Sequence, residues 1–179
     1  MSGLSMHHIF AAALCGGLLL GSALPAAAED PTLLGASKGW FAYSLGKGDA
    51  MVCYALARPS SEEPRKVKRD PAYFLINDWP GRKAKAEPEI VSGYLYKDGS
   101  AVTAQVGSDR FSFFTKNDGK SGSAWVLAQA DEERLIAAMK DGAQALVSGT
   151  SKRGTTTHDI YPLAGLSDAL DKIHQSCGM

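Results

Sequence analysis

Short apolar runs rich in aromatic and β-branched residues, each closed by Gly, Pro, Asn or Asp, fill the middle of this sequence. GWFAYSLG, AMVCYALAR, AYFLINDW, EIVSGYLY, AVTAQV, RFSFFTK and SAWVLA are seven of them. A period of two sends successive side chains to opposite faces of a strand. Such runs at a spacing of roughly 8–12 residues predict an antiparallel sandwich or barrel. Asp98 and Gly99, between YLYK and SAVTA, predict a hairpin, because Gly accepts the positive φ of a two-residue turn. Gly107, Ser108 and Asp109 mark a second turn, and Asn117, Asp118 and Gly119 a third. A last hairpin is predicted from QALVSGT to TTTHDIYPL through Lys152, Arg153 and Gly154.

Two stretches leave this period for the helical one. Asp131 is placed to cap a helix whose first turn carries Glu132 and Glu133, favourable at the positive end of the helix dipole. Leu135, Ile136 and Met139 give it one apolar face, and Gly142 ends it. The closing helix is predicted to start near Ser167, with Asp168 in its first turn. Leu166, Ala169, Leu170, Ile173 and Cys177 fall on a single stripe. A cysteine near the chain's end therefore shares a face with core-facing leucines.

What that cysteine does depends on the compartment. The first 28 residues contain no Asp, Glu, Lys or Arg, residues 9–20 are an apolar run, and Ala26, Ala27 and Ala28 precede Glu29. This layout predicts a signal peptide over residues 1–28, cleaved after Ala28, and one β-sandwich domain over residues 29–179. A membrane anchor competes, but the run falls short of the ~20 residues needed to span a bilayer. A lipoprotein also competes through Cys15, although Leu14 directly before it suits that processing poorly. The expected compartment is periplasmic or secreted, with no transmembrane segment in the mature chain. Cleavage removes Cys15 and leaves Cys53 and Cys177, which pair in one intramolecular way, and disulfides persist outside the cytosol. A bridge closing so much of the chain is worth at most ~5 kcal/mol. The alternative is two unpaired thiols, one buried and one on a frayed tail.

Charge alters the picture locally. Lys plus Arg equals Asp plus Glu at 19 each, so no global field recommends nucleic acid as a partner. Within residues 65–85, however, Arg65, Lys66, Lys68, Arg69, Arg82, Lys83 and Lys85 face only Asp70 and Asp78. This set predicts a surface for an anionic envelope component or another, acidic protein. The competing reading is two solvated loops. An extended AYFLINDW between the clusters separates them by roughly 20–25 Å at ~3.3 Å per residue. That exceeds the ~8 Å screening length at physiological salt, so two patches are expected rather than one.

The order of these features resembles a known family. A Trp-led strand, a cysteine-bearing strand, about seven strands in all, then DEERLIAAMKDGAQALVSG and YPLAGLSDALDKI, is similar to the invasion-associated locus B family of exported proteobacterial proteins. The resemblance implies a mainly β, immunoglobulin-like antiparallel β-sandwich with two short helices, the second at the C-terminus. It also implies an envelope location, a link to host-cell invasion or adaptation, and no established catalytic activity. Family members often carry a cysteine soon after the leading Trp and others before the first helix. Here Ser44 follows Trp40 and TKNDGKSGSAWV has none, so only the Cys53 to Cys177 pairing is expected.

Motifs of catalysis are weak. Gly35, Ala36, Ser37, Lys38 and Gly39 spell the nucleophile-elbow pattern, but that elbow needs a strand-to-helix turn above an α/β sheet, and no βα alternation is present. Ser44, Leu45, Gly46 and Lys47 spell S-x-x-K without its partner motifs. His158 and Asp159 are neighbours in a strand and point to opposite faces. His174, near a helix C-terminus, reads as a surface residue favoured by the dipole. No catalytic residue, metal ligand set or cofactor site is expected, and a hydrolase with an unfamiliar site is the rival to a binding module. Trp40, Trp79 and Trp125 are all expected in the core, Trp79 with the weakest claim because Pro80 and Gly81 follow it.

Overall fold

A computed structural model of the protein describes residues 29–179. The signal-peptide reading falls on residues 1–28 and lies outside the described residues. The chain is mainly β. Eleven antiparallel strands form one sheet: β1 (Thr32–Ser37), β2 (Trp40–Leu45), β3 (Val52–Ala57), β4 (Ser61–Glu63), β5 (Tyr73–Trp79), β6 (Ala84–Val91), β7 (Ala101–Val106), β8 (Asp109–Asn117), β9 (Gly122–Trp125), β10 (Gln144–Thr150) and β11 (Thr156–Pro162). Helix α1 (Gln129–Asp141) separates β9 from β10, and α2 (Leu166–Cys177) follows β11. The strand order is β1-β2-β3-β5-β6-β9-β8-β7-β10-β11-β4.

This long sheet folds over on itself in a sandwich-like way, and the core residues show where. The Phe74 ring of β5 meets Phe113 of β8 at 6.3 Å and Tyr161 of β11 at 5.6 Å, both edge-on. Trp40 on β2, fully buried, donates from Nε1 to the Pro162 carbonyl of β11 at 2.9 Å. Residues from opposite halves of the sheet thus share one interior. Alternation supplies it: Cys53, Ala55 and Ala57 of β3 are buried while Tyr54 and Leu56 between them are not.

The apolar stripe of α2 lies in this core as the spacing predicts, with Leu166, Ala169, Leu170, Ile173 and Cys177 all buried. The helix packs over β1, β2, β3 and β5. Cys177 is disulfide-bonded to Cys53, their Cα atoms 6.0 Å apart. Leu135, Ile136 and Met139 of α1 are buried likewise.

Several boundaries differ from the sequence reading. Helix α1 starts at Gln129, so Asp131 sits in its first turn rather than at its cap. Helix α2 starts at Leu166 after Gly165, whose φ of 92° lets the chain turn where a Cβ would strike the Ser37 carbonyl. The run EIVSGYLY is a strand only to Val91, because Gly93 breaks it at φ 73°. The Asp98–Gly99 turn forms, with Ser100 N donating to Lys97 O, yet β6 pairs with β5 and β9 and never with β7. The segment before that turn makes only a bridge from Tyr96 to Ser151. Strands β1 and β4 went unforeseen; both are edge strands with little buried apolar surface to mark them.

Candidate functional site

A cavity of about 660 Å³ opens between the start of β6 and the two helices. Arg82, Lys83 and Lys85, three members of the predicted basic set, line it and meet Lys140 of α1 and His174 of α2. Glu132 and Glu133, from the first half of α1, line it as well. The β5–β6 connection is unusual in its backbone. Lys83 and Ala86 adopt φ values of 54° and 55°, a region that non-glycine residues seldom occupy and that gathers at functional sites.

One buried carboxylate organises this wall. Asp78, fully buried at a β-bulge in β5, accepts the Ala86 N–H on Oδ1 at 2.8 Å and the His174 Nδ1–H on Oδ2 at 2.6 Å. A single side chain thus holds the left-handed backbone of β6 and the imidazole of α2 in fixed positions. His174, expected on the surface, is instead half-buried in this bond. Arg82 is tied to Glu87 at 2.8 Å and lies 4.5 Å over the Trp79 ring. Burial, with Glu87 and Glu133 nearby, pushes the Glu132 carboxyl above its usual range.

The other half of the basic set behaves differently. Arg69 is a buried structural residue rather than part of an exposed surface. Its Nη1 donates to Ser92 O at 3.0 Å and Asp159 Oδ2 at 2.8 Å, and its Nη2 meets Asp159 Oδ1. Burial raises the Asp159 carboxyl while the bond to Arg69 opposes that rise. Asp159 points inward and His158 outward, as strand alternation requires. Arg65 pairs with Glu63 at 3.0 Å in solvent, and Lys66 is exposed. Lys68 lines a second cavity of about 550 Å³, where Lys152 and Arg153 of the β10–β11 turn join it. Of the seven cations, Arg82, Lys83 and Lys85 line the first cavity and Lys68 and Arg69 the second, while Arg65 and Lys66 line neither. Lys140, Lys152 and Arg153 were missed because each reaches its patch through the fold, without a local signal.

Serine side chains with an acid or imidazole partner, Ser37 and Ser148, lie in two places, neither of them in a described cavity. Ser37 donates to Asp168 Oδ2 at 2.6 Å and so fastens β1 to the first turn of α2. Ser148 Oγ and His158 Nδ1 are 2.8 Å apart, with Glu63 in register beside His158, but this exposed row borders none of the described cavities and Glu63 bonds Arg65. No Ser, Thr or Cys lines the cleft beside His174. Among the described residues no three His, Cys, Asp or Glu side chains gather to hold a metal ion. No helix among them is long and apolar enough to cross a membrane. Trp40 alone of the three tryptophans is fully buried. Trp79 carries the Arg82 guanidinium, and Trp125 lies against the exposed Phe114 ring at 5.8 Å.

A mainly β, sandwich-like fold whose terminal helix is clasped by a disulfide defines the class. The sequence pattern described as "Invasion associated locus B (IalB) protein" matches residues 40–174, and the chain belongs to that family. The crystal structure of invasion associated protein B from Bartonella henselae shares the fold, with a TM-score of 0.55 at 11% identity, over 81% of this chain and 98% of that one. No curated protein matches the chain.

Proposed function

We propose that this protein is an exported, non-catalytic binding module of the bacterial cell envelope, and that the cleft beside β6 is its contact for an anionic envelope component such as lipopolysaccharide phosphate. The single observation carrying this reading is the meeting of Arg82, Lys83, Lys85 and Lys140 around one cavity. A cluster of cations in a concave, partly desolvated site attracts anions more strongly than the same charges on a flat surface. Family membership and the disulfide support an exported protein, with residues 1–28 as the cleaved signal. The Bartonella henselae protein is described as invasion associated. A role in host association or envelope adaptation is our proposal for this chain.

Binding to anionic phospholipid vesicles and to lipopolysaccharide, titrated with salt, tests the reading. A variant with Lys83, Lys85 and Lys140 changed to Gln is expected to bind several-fold more weakly and with a shallower salt dependence. Equal binding by the variant and the parent protein would overturn it.

A further inference from the structure

The outer face of β2, β3 and β5 carries an aromatic groove of about 480 Å³, which shares no lining residue with either basic cavity. Outward positions of a sheet facing solvent are ordinarily polar. Here Tyr43 stands opposite Tyr54, and Phe41 opposite Leu56, in the β2–β3 ladder. Their inward neighbours Ala42 and Ala55 are buried, so these side chains face away from the core. Phe41 is 39% exposed. The Tyr43 and Tyr54 rings lie 5.4 Å apart at 22°, close to parallel. Burial, with Tyr43 beside it, raises the Tyr54 hydroxyl further above neutrality, so it remains a neutral donor.

Arg58 lines the groove. Its guanidinium sits 5.3 Å over the Tyr73 ring, and Nη2 donates to Tyr73 Oη at 3.1 Å. No carboxylate lines the groove, and Arg58 has no ion-pair partner among the described residues. Residues 1–28 contain no Asp or Glu to supply one. The guanidinium is thus held in place by a phenol with most of its donors free for a ligand.

We propose that this groove binds a saccharide bearing a carboxylate. Aromatic faces suit the C–H face of a pyranose ring, and the phenolic hydroxyls suit its hydroxyl edge. A guanidinium with free donors suits a carboxylate, which it takes through two parallel bonds. A wholly apolar partner would strip water from the hydroxyls and the guanidinium without replacing those bonds, at a cost. The groove's volume falls within the range of small-ligand sites, about 300–1,000 Å³.

Isothermal titration with trigalacturonic acid, and with maltotriose as its neutral counterpart, tests the proposal on the whole mature chain. The acidic trisaccharide is expected to bind one to one and at least about tenfold more tightly than maltotriose, the scale of one charge-assisted bond. Arg58→Gln, a change at an exposed side chain, should remove that preference. Tyr54→Ala should weaken both saccharides. The triple Lys variant at Lys83, Lys85 and Lys140 should bind trigalacturonic acid like the parent, which separates this site from the basic cleft. Equal affinity for the two saccharides, no binding at millimolar concentration, or a preference that survives Arg58→Gln would each overturn the proposal. Concentration-dependent self-association abolished by Tyr54→Ala would assign the face to a second copy of the chain and overturn it too.

Discussion

His174 donates to Asp78 one helical turn before Cys177, and Cys53, the disulfide partner of Cys177, stands opposite Asp78 in the β3–β5 ladder. The covalent clasp and the hydrogen bond therefore join the same two pieces of structure, α2 and the β3–β5 pair. Removing both sulfurs with Cys53→Ser and Cys177→Ser is expected to lower stability by about 2–5 kcal/mol. His174→Ala leaves an oxygen of a buried carboxylate without its partner and is expected to lower it by about 1–3 kcal/mol. Urea denaturation with and without reductant measures both. An effect of His174→Ala within the scatter of surface substitutions would show that the bond does not hold the helix.

The Arg69–Asp159 pair lies between the β4 edge and the end of β6, and both side chains are almost wholly buried. Breaking it with Arg69→Met strands a buried carboxylate, so a loss of about 3–5 kcal/mol is expected. Adding Asp159→Leu should recover much of that loss, because two apolar groups need no partner. Lys68→Ala, its exposed neighbour, should stay within about 0.5 kcal/mol. Chemical denaturation of the three variants checks the order.

Glu132 lends the cleft one source of pH dependence. Its folded carboxyl titrates above the unfolded one, so the folded state binds this proton more readily. The stability from this group is present below the unfolded value and is lost as pH rises through the raised folded value. Glu132→Gln should accordingly be slightly more stable than the parent at neutral pH, by less than about 1 kcal/mol since the group is part-exposed, and the advantage should vanish in acid. The same variant should bind anionic vesicles more tightly at neutral pH. Thermal melts and vesicle binding at pH values on either side of the carboxylate range read both effects.

Gly93 is a point where the backbone tolerates no side chain. Its carbonyl accepts the Asp70 N–H at 3.0 Å, its φ is 73°, and a Cβ there would overlap the Asp70 carbonyl oxygen. Gly93→Ala is expected to cost about 2 kcal/mol or more through backbone strain and overlap. Faster hydrogen exchange at the Asp70 amide should accompany the loss of stability.

Features legible in the sequence were those carried by local period. The apolar run AMVCYALAR gave β3, and the stripe from Leu166 to Cys177 gave α2 and the face its cysteine shares. The Gly107, Gly119 and Gly154 turns each joined the strands expected of them. The Asp98–Gly99 turn did not, because a turn signal reports local backbone freedom and says nothing about which strand a neighbouring segment will find. Arg69 reads as one more cation in a basic loop, since burial and a partner 90 residues away leave no local mark.

By itself, the sequence determined the β class, the two helices and their buried faces, because propensity and side-chain spacing act over short range, while it left the two cysteines as either a pair or free thiols. Only the tertiary structure decided that Asp78 meets His174, that Lys140 completes the basic cleft, that Arg69 is internal and that Tyr43 and Tyr54 form an open aromatic wall. Those relations depend on how eleven strands order themselves in one folded sheet, and strand order is set by the burial of the whole core rather than by any segment of it.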